Sequence, residues 1–186
     1  NAHPLYKSWI SGRDPARLLD HVVTRDIRKL GIGQVAYTTW CDAEGKVLDD
    51  GTVARLGEEA FRMTSAEPNL RWLQDNAAGL EASVKDVSEA IVALSLQAPA
   101  SRAILEDIEP KFFRLVETRV RGIPVAISRT GFTGDLGYEL WTGKEHALAL
   151  WDALVEAGTP HGIVPAGMLA LDVARIEAGL MLIDVD

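Results

Sequence analysis

Ser128-Arg129-Thr130-Gly131-Phe132-Thr133-Gly134-Asp135-Leu136-Gly137-Tyr138-Glu139-Leu140 leaves one apolar run, Ile123 to Ile127, and enters another, Tyr138 to Trp141. Two strand-like runs joined by glycine-rich chain read as a long β-hairpin. Gly131, Gly134 and Gly137 let the backbone take positive φ and approach a neighbour or ligand closely. The stretch as a whole carries two aromatics, Phe132 and Tyr138, and two acids, Asp135 and Glu139. An ordinary hairpin has the same outline, so the residues the loop displays matter more than the turn itself.

The chain around this hairpin has 186 residues, of which 47% are hydrophobic and 25% charged. That is globular composition with enough chain for one or two domains with a core. The net charge of −8 leaves no basic excess to neutralise phosphates, so neither nucleic acid nor an anionic membrane surface is an expected partner. A local basic pocket stays open. Cys41 is the single cysteine; it cannot form an intramolecular disulfide, and a reducing, cytoplasmic setting is expected. Asn1 to Trp9 lack the basic-then-apolar order of a signal peptide, and no apolar run reaches the length of a membrane span. Asn1 is not a natural start, so the chain reads as a fragment.

Outward from the hairpin, Tyr6 to Ile10 reads as a strand. Asp14-Pro15 reads as an N-cap and first helical position, opening a helix to about Arg25 with Leu18, Leu19, Val22 and Val23 on one face. Gln34 to Trp40 and Val47 to Leu56 form a second hairpin around Asp42 to Lys46, and Ala60 to Thr64 is a further strand. Glu67-Pro68 opens a helix ending near Gly79. Leu80 to Val87 and Ala90 to Gln97 are strands, and Pro99 opens a helix through Ile108. Phe112 to Val120 and Ile123 to Ser128 are strands. Glu145 to Ala157 is a helix with Leu148, Trp151, Leu154 and Val155 inward and Gly158 as C-cap, and Pro165 to Leu180 is the last helix. Hairpins interspersed with helices predict an α+β fold with mixed or antiparallel sheets and packed helices, with sub-domains at about 1–88 and 89–186. No glycine-rich phosphate loop opens a helix.

Asp49-Asp50-Gly51 lies inside a predicted strand although Asp and Gly are both depleted in strands. Something other than sheet propensity must hold it there. Val47, Leu48 and Val53 flank the acids, so at least one carboxyl faces a protected space, where its proton affinity is altered. A solvated acidic turn is the alternative.

The segment Ser128 to Leu140 resembles the S-R-T-G-(Y/F)-T-G-E-x-G-(F/Y)-E signature of the folate-dependent aminomethyltransferase family, whose type member is the T-protein of the glycine cleavage system. Glu44 to Gly51 resembles that family's G-G-(I/V)-(I/L)-D-D stretch, Leu94 to Pro99 its L-Q-G-P with Ala98 for glycine, and Leu169 to Leu180 its A-R-D-x-x-R-L-E-A-G-(M/L). The resemblance covers nearly the whole chain. It implies an aminomethyltransferase folate-binding fold truncated at both ends, since the chain begins after the family's N-terminal segment and stops before its C-terminal barrel-like domain.

The resemblance also implies roles. Asp50 falls on the family's catalytic acid and Tyr37 on its folate-contacting tyrosine. Glu139 falls on the glutamate that accepts the paired N–H donors of a pterin, a directional contact to a charged acceptor. Phe132 stands where an aromatic packs near the folate. Thr64 is nearest to the place of a folate-contacting asparagine that is absent here. Arg175 lies three residues after Asp172 on one helix face, as a structural pair or a ligand contact. Leu171 stands where glycine-cleavage T-proteins usually have arginine.

The function implied is a tetrahydrofolate-dependent one-carbon transferase, moving a methyl or aminomethyl group to folate N5, with Asp50 positioning the reactants and facing developing positive charge. The donor is a small molecule or is presented by a carrier protein. Glycine-cleavage aminomethyl transfer and the demethylation of methyl-ether, sulfonium or methylamine compounds all stay open. No metal is expected, because His3, His21, His146 and His161 show no ligand spacing. A non-catalytic folate-binding protein of the iron–sulfur maintenance branch is the rival; the retained Asp-Asp pair favours the enzyme.

Overall fold

The computed structural model of the chain describes residues 5–105, 108–183 and 185–186. Described residues up to Glu89 form one compact unit and those from Ala90 onward a second. The architecture is α+β, with two antiparallel sheets, as the pattern of hairpins and helices predicts.

The N-terminal unit contains β1 (Tyr6–Gly12), α1 (Pro15–Val22), β2 (Val35–Cys41), β3 (Val47–Gly57), β4 (Ala60–Ser65), α2 (Leu70–Asn76) and β5 (Ala82–Asp86). The sheet order is β2-β3-β4-β1-β5. The β2–β3 hairpin closes where the Asp42 carboxylate accepts the Glu44 and Lys46 N–H groups, both at 2.9 Å, and Gly45 takes φ +81°. Leu18, Leu19 and Val22 of α1 pack on Ile10, Trp40, Val53, Phe61, Met63 and Leu73. Asp14 occupies the N-cap position of α1 without bonding a helix N–H. Its carboxylate instead accepts the Glu81 N–H at 3.0 Å and an Arg17 N–H at 3.0 Å, tying the helix start to the chain before β5.

The C-terminal unit contains β6 (Ile91–Gln97), α3 (Ser101–Ile104), β7 (Leu115–Val120), β8 (Ile123–Ser128), β9 (Gly137–Gly143), α4 (Ala147–Gly158) and α5 (Met168–Glu177). Its sheet order is β6-β9-β8-β7, with β8 and β9 paired as the signature hairpin. Leu94, Leu96, Val125, Ile127, Tyr138, Leu140, Leu150 and Leu154 form its core. Among the described residues no helix is long and apolar enough to cross a membrane.

Several local expectations differ from the structure. The helix expected from Pro99 through Ile108 is a single turn, α3; residues 106 and 107 of that stretch lie outside the described residues. Strand β7 begins at Leu115 rather than Phe112, because Phe113 takes φ +54°, which no strand residue adopts. Helix α4 turns a different side inward. Leu150, Ala153 and Leu154 are buried with Ala157 packed beside them, while Leu148 is 80% exposed and Trp151 40%. Leu154, expected inward, is common to both apolar stripes, whose centres lie about a third of a turn apart at 3.6 residues per turn, so periodicity alone does not choose between them. Gly158 also differs from a left-handed C-cap: its φ is −84°. A Cβ there would sit 2.6 Å from the Ile163 side chain, so close approach explains this glycine.

Candidate functional site

In the N-terminal unit the β2–β3 register sets Tyr37 opposite Thr52 and Thr39 opposite Asp50. These four share one face of the sheet. Thr38, Trp40, Asp49 and Val53 lie on the other face and are at most 3% exposed. Tyr37 and Asp50 are therefore diagonal neighbours across the pair, within reach of a long side chain, and the Tyr37 hydroxyl donates to Asp50 Oδ2. Thr64 on β4 joins the same face. Its hydroxyl lies 2.8 Å from Thr52 Oγ1 and accepts the Thr52 N–H at 3.0 Å. Tyr37, Asp50 and, through Thr52, Thr64 are thus brought together, with Tyr37 47% exposed, Asp50 half-buried and Thr64 buried.

Partial burial pushes the Tyr37 phenol up to about 12, helped by its bond to Asp50 and by the charges of Asp50 and Asp49. Its bond to Asp50 needs the protonated phenol. That stabilisation is complete below the ordinary tyrosine value near 10 and is lost as pH rises toward about 12. At pH 10, where free tyrosine is about half ionised, Tyr37 is expected to stay almost wholly protonated. The tyrosinate absorbance of the protein minus that of its Tyr37→Phe variant measures this; a half-ionised Tyr37 would contradict it.

Sequence reasoning left Asp49 without a role, and the structure shows it as the protected acid. It is 1% exposed. Oδ2 accepts Asn69 Nδ2–H at 2.7 Å and the Glu67 N–H at 3.0 Å, and Oδ1 accepts the Asp50 N–H at 2.7 Å. Asn69 Oδ1 in turn accepts the Trp40 indole N–H at 3.3 Å. Gly51 is equally constrained: a Cβ there would lie 1.9 Å from the Thr64 carbonyl oxygen.

In the C-terminal unit Glu139 sits on β9 between Ser95 of β6 and Ser128 of β8. A hydrogen-bond chain reaches its carboxylate. Trp141 Nε1–H donates to Ser128 Oγ at 3.3 Å, Ser128 Oγ lies 2.8 Å from Thr130 Oγ1, and Thr130 Oγ1–H donates to Glu139 Oε2 at 2.6 Å. An indole can only donate, and the Thr130 proton is committed to Glu139, so Ser128 donates to Thr130. The direction is fixed from Trp141 to Glu139. Ser128 and Thr130, read from sequence only as part of the signature, are the supports of Glu139.

The loop glycines serve mainly close approach. Gly134 alone of the three takes positive φ, +77°. A Cβ on Gly131 or Gly137 would come within 2.2 or 1.8 Å of Gln97 Oε1. That amide stitches the loop to β6 by accepting Thr133 Oγ1–H at 3.1 Å and donating to Ser95 Oγ at 2.9 Å. Phe132 is half-buried in the loop. Arg175 is 2% exposed; its guanidinium pairs with Asp172 Oδ1 at 2.7 Å, with the Leu180 carbonyl at 3.3 Å and with Asp186. These partners hold Arg175 above its ordinary range, the Asp172 bond first among them. The same unit carries a half-open cleft of about 660 Å³ whose walls include Leu94, Leu96, Ile104, Leu154, Met168 and Leu171; Phe132, Glu139 and Arg175 do not line it.

The GCVT N-terminal domain family matches residues 1–186. The trimethylamine-oxide aldolase of Ruegeria pomeroyi is 39% identical over 199 aligned residues, covering 98% of this chain and 25% of that protein. The aminomethyltransferase of Thermoanaerobacter sp. (strain X514) is 34% identical, covering 93% of this chain and 50% of that protein. The crystal structure of glycine cleavage system aminomethyltransferase T from Bartonella henselae superposes with a TM-score of 0.85 at 26% identity, over 97% of this chain and 50% of that one. The chain spans about half the length of the aminomethyltransferases it matches and a quarter of the aldolase. With the signature hairpin, two antiparallel sheets and a family match along its length, the chain belongs to the folate-dependent aminomethyltransferase family as a GCVT N-terminal domain.

Proposed function

We propose that the intact protein is a tetrahydrofolate-dependent one-carbon transferase and that this chain carries its pterin-reading and proton-handling residues. The observation that carries this reading is the fixed carboxylate of Glu139. The one-directional chain from Trp141 ends on Oε2, so Glu139 is held oriented as an acceptor before any ligand arrives. An oriented anionic acceptor fits the adjacent N–H donors of a pterin edge. Tetrahydrofolate, when bound, supplies a nucleophilic N5 that takes up the one-carbon unit.

The chain's own residues then divide the work. Glu139 accepts the pterin donors, Thr130 keeps its carboxylate from rotating, and Phe132 packs beside the ring. Tyr37 donates to Asp50 Oδ2, which leaves Asp50 Oδ1 as the atom to hold a proton or face positive charge at the donor carbon. Thr64 acts through Thr52 by fixing β3 against β4. Arg175 anchors the end of α5 through Asp172. For the donor we favour a small methylated amine over a carrier-bound aminomethyl group. Support comes from the relative named for trimethylamine oxide and from apolar Leu171.

The test is calorimetric titration of tetrahydrofolate into the intact protein and its Glu139→Ala variant, both shown folded by circular dichroism. A hydrogen bond to a charged group contributes about 1.5–3 kcal/mol, so the variant should bind roughly 10- to 100-fold more weakly. Equal affinity would remove Glu139 from the site; no binding to either protein would remove the folate. Binding without turnover on any methylated amine would favour the non-catalytic rival.

A further inference from the structure

We propose that Asp49 is a positioning residue for Asp50: through the buried chain Trp40–Asn69–Asp49 it fixes the backbone from which the Asp50 carboxylate meets Tyr37. The role rests on the reading of Asp50 as the reacting acid, but the geometry stands in the N-terminal unit alone.

The chemistry of the donors requires a carboxylate at residue 49. The Trp40 indole N–H can only donate, so it fixes which end of the Asn69 amide is oxygen. Asn69 therefore turns Nδ2–H toward Asp49, and its second proton goes to the Glu67 carbonyl at 3.0 Å. The Glu67 and Asp50 main-chain N–H groups are likewise donors. Three donors converge on two oxygens. An Asn at residue 49 would have to aim an NH₂ group at one of them, because neither of its orientations offers acceptors on both sides. The Trp40 ring is itself immobilised, fully buried and stacked on Trp72 with ring centres 6.4 Å apart.

The last donor connects this core network to the reacting face. The Asp50 N–H is spent on Asp49 Oδ1 at 2.7 Å. Asp50 thus has its main chain gripped from the buried side while its side chain meets Tyr37 on the opposite face. A strand that carries two adjacent acids can in this way use one to aim the other. This also accounts for Asp-Asp inside β3 despite its poor strand propensity.

Two variants of the intact protein test the idea, with the ionised fraction of Tyr37 at pH 10 as readout, isolated by subtracting the titration of a Tyr37→Phe background. With its phenol at about 12, the parent Tyr37 should be roughly one-hundredth ionised at that pH. Asp49→Asn should raise that fraction at least several-fold, because Asp50 no longer meets the phenol squarely. It also deletes a charge near Tyr37, so the deciding variant is Asn69→Ala, which keeps both carboxylates and cuts the chain behind them. A several-fold rise there reports orientation. An unchanged fraction in Asn69→Ala overturns the proposal even if Asp49→Asn responds, and it does so equally if Asp49→Asn fails to fold. Tetrahydrofolate affinity, carried by Glu139, should stay within a few-fold in Asn69→Ala. This readout needs no turnover, so Asp49 can fail as a positioning residue while Asp50 stands as the acid, and the reverse.

Discussion

Asp50→Asn is expected to lower turnover of the intact protein by about 10²- to 10⁴-fold, the range a positioned acid–base group contributes, with tetrahydrofolate affinity within a few-fold of the parent. The substitution is nearly isosteric. The Asn oxygen can still accept the Tyr37 hydroxyl, so the β2–β3 face keeps its shape. What disappears is a negative charge on a half-buried side chain, where the effective dielectric is below that of water and a charge opposite a developing cation counts for more. Proton capacity at Oδ1 disappears with it.

The partition of the effect is the diagnostic. Loss confined to kcat places Asp50 at the reacting atoms. Loss confined to affinity would make it a binding residue, and unchanged kinetics would remove it from the mechanism. The Tyr37 phenol gives an independent check. Its elevated value owes most to partial burial and the remainder to Asp50 and Asp49, so in Asp50→Asn it should fall from about 12 without returning to the ordinary value near 10.

How far the site could be read from sequence depended on whether its determinants were local. The signature hairpin was legible because its strands, its glycines and Glu139 lie within one short segment, and β8 and β9 pair as the pattern implies. The oddity of Asp49-Asp50-Gly51 was visible too, but its cause was not. Asn69 is twenty residues further on and Trp40 on the preceding strand, and no periodicity links an amide in a helix-capping loop to an acid in a strand. Helix α4 shows the opposite problem, too much signal: apolar residues on two sides, with the choice made by what the sheet offers to pack against. The short α3 and the left-handed Phe113 are decided by tertiary context that overrides local propensity.

Gly51→Ala should be strongly damaging to the N-terminal sheet. The added Cβ would lie 1.9 Å from the Thr64 carbonyl oxygen and 2.8 Å from its carbon. Both are backbone atoms of the neighbouring strand, so no rotamer change relieves the clash and β3 must move off β4. Overpacking that a core can absorb costs about 1–3 kcal/mol; a clash with paired backbone should reach the top of that range or beyond, read as a large drop in thermal midpoint or failure to fold. Gly57→Ala on the same strand is the control. Its Cβ would meet only the Ala60 side chain at 3.6 Å, an ordinary contact, and its stability should lie within about 0.5 kcal/mol of the parent. Equal stability of the two variants would refute the steric account of Gly51. Thr52 and Thr64 bond across this same β3–β4 boundary, and Thr52 faces Tyr37 on β2. Any Gly51→Ala protein that does fold should therefore also show Tyr37 more ionised at pH 10 than the parent. The glycine would then be required both by the sheet and by the Tyr37–Asp50 pair the sheet displays.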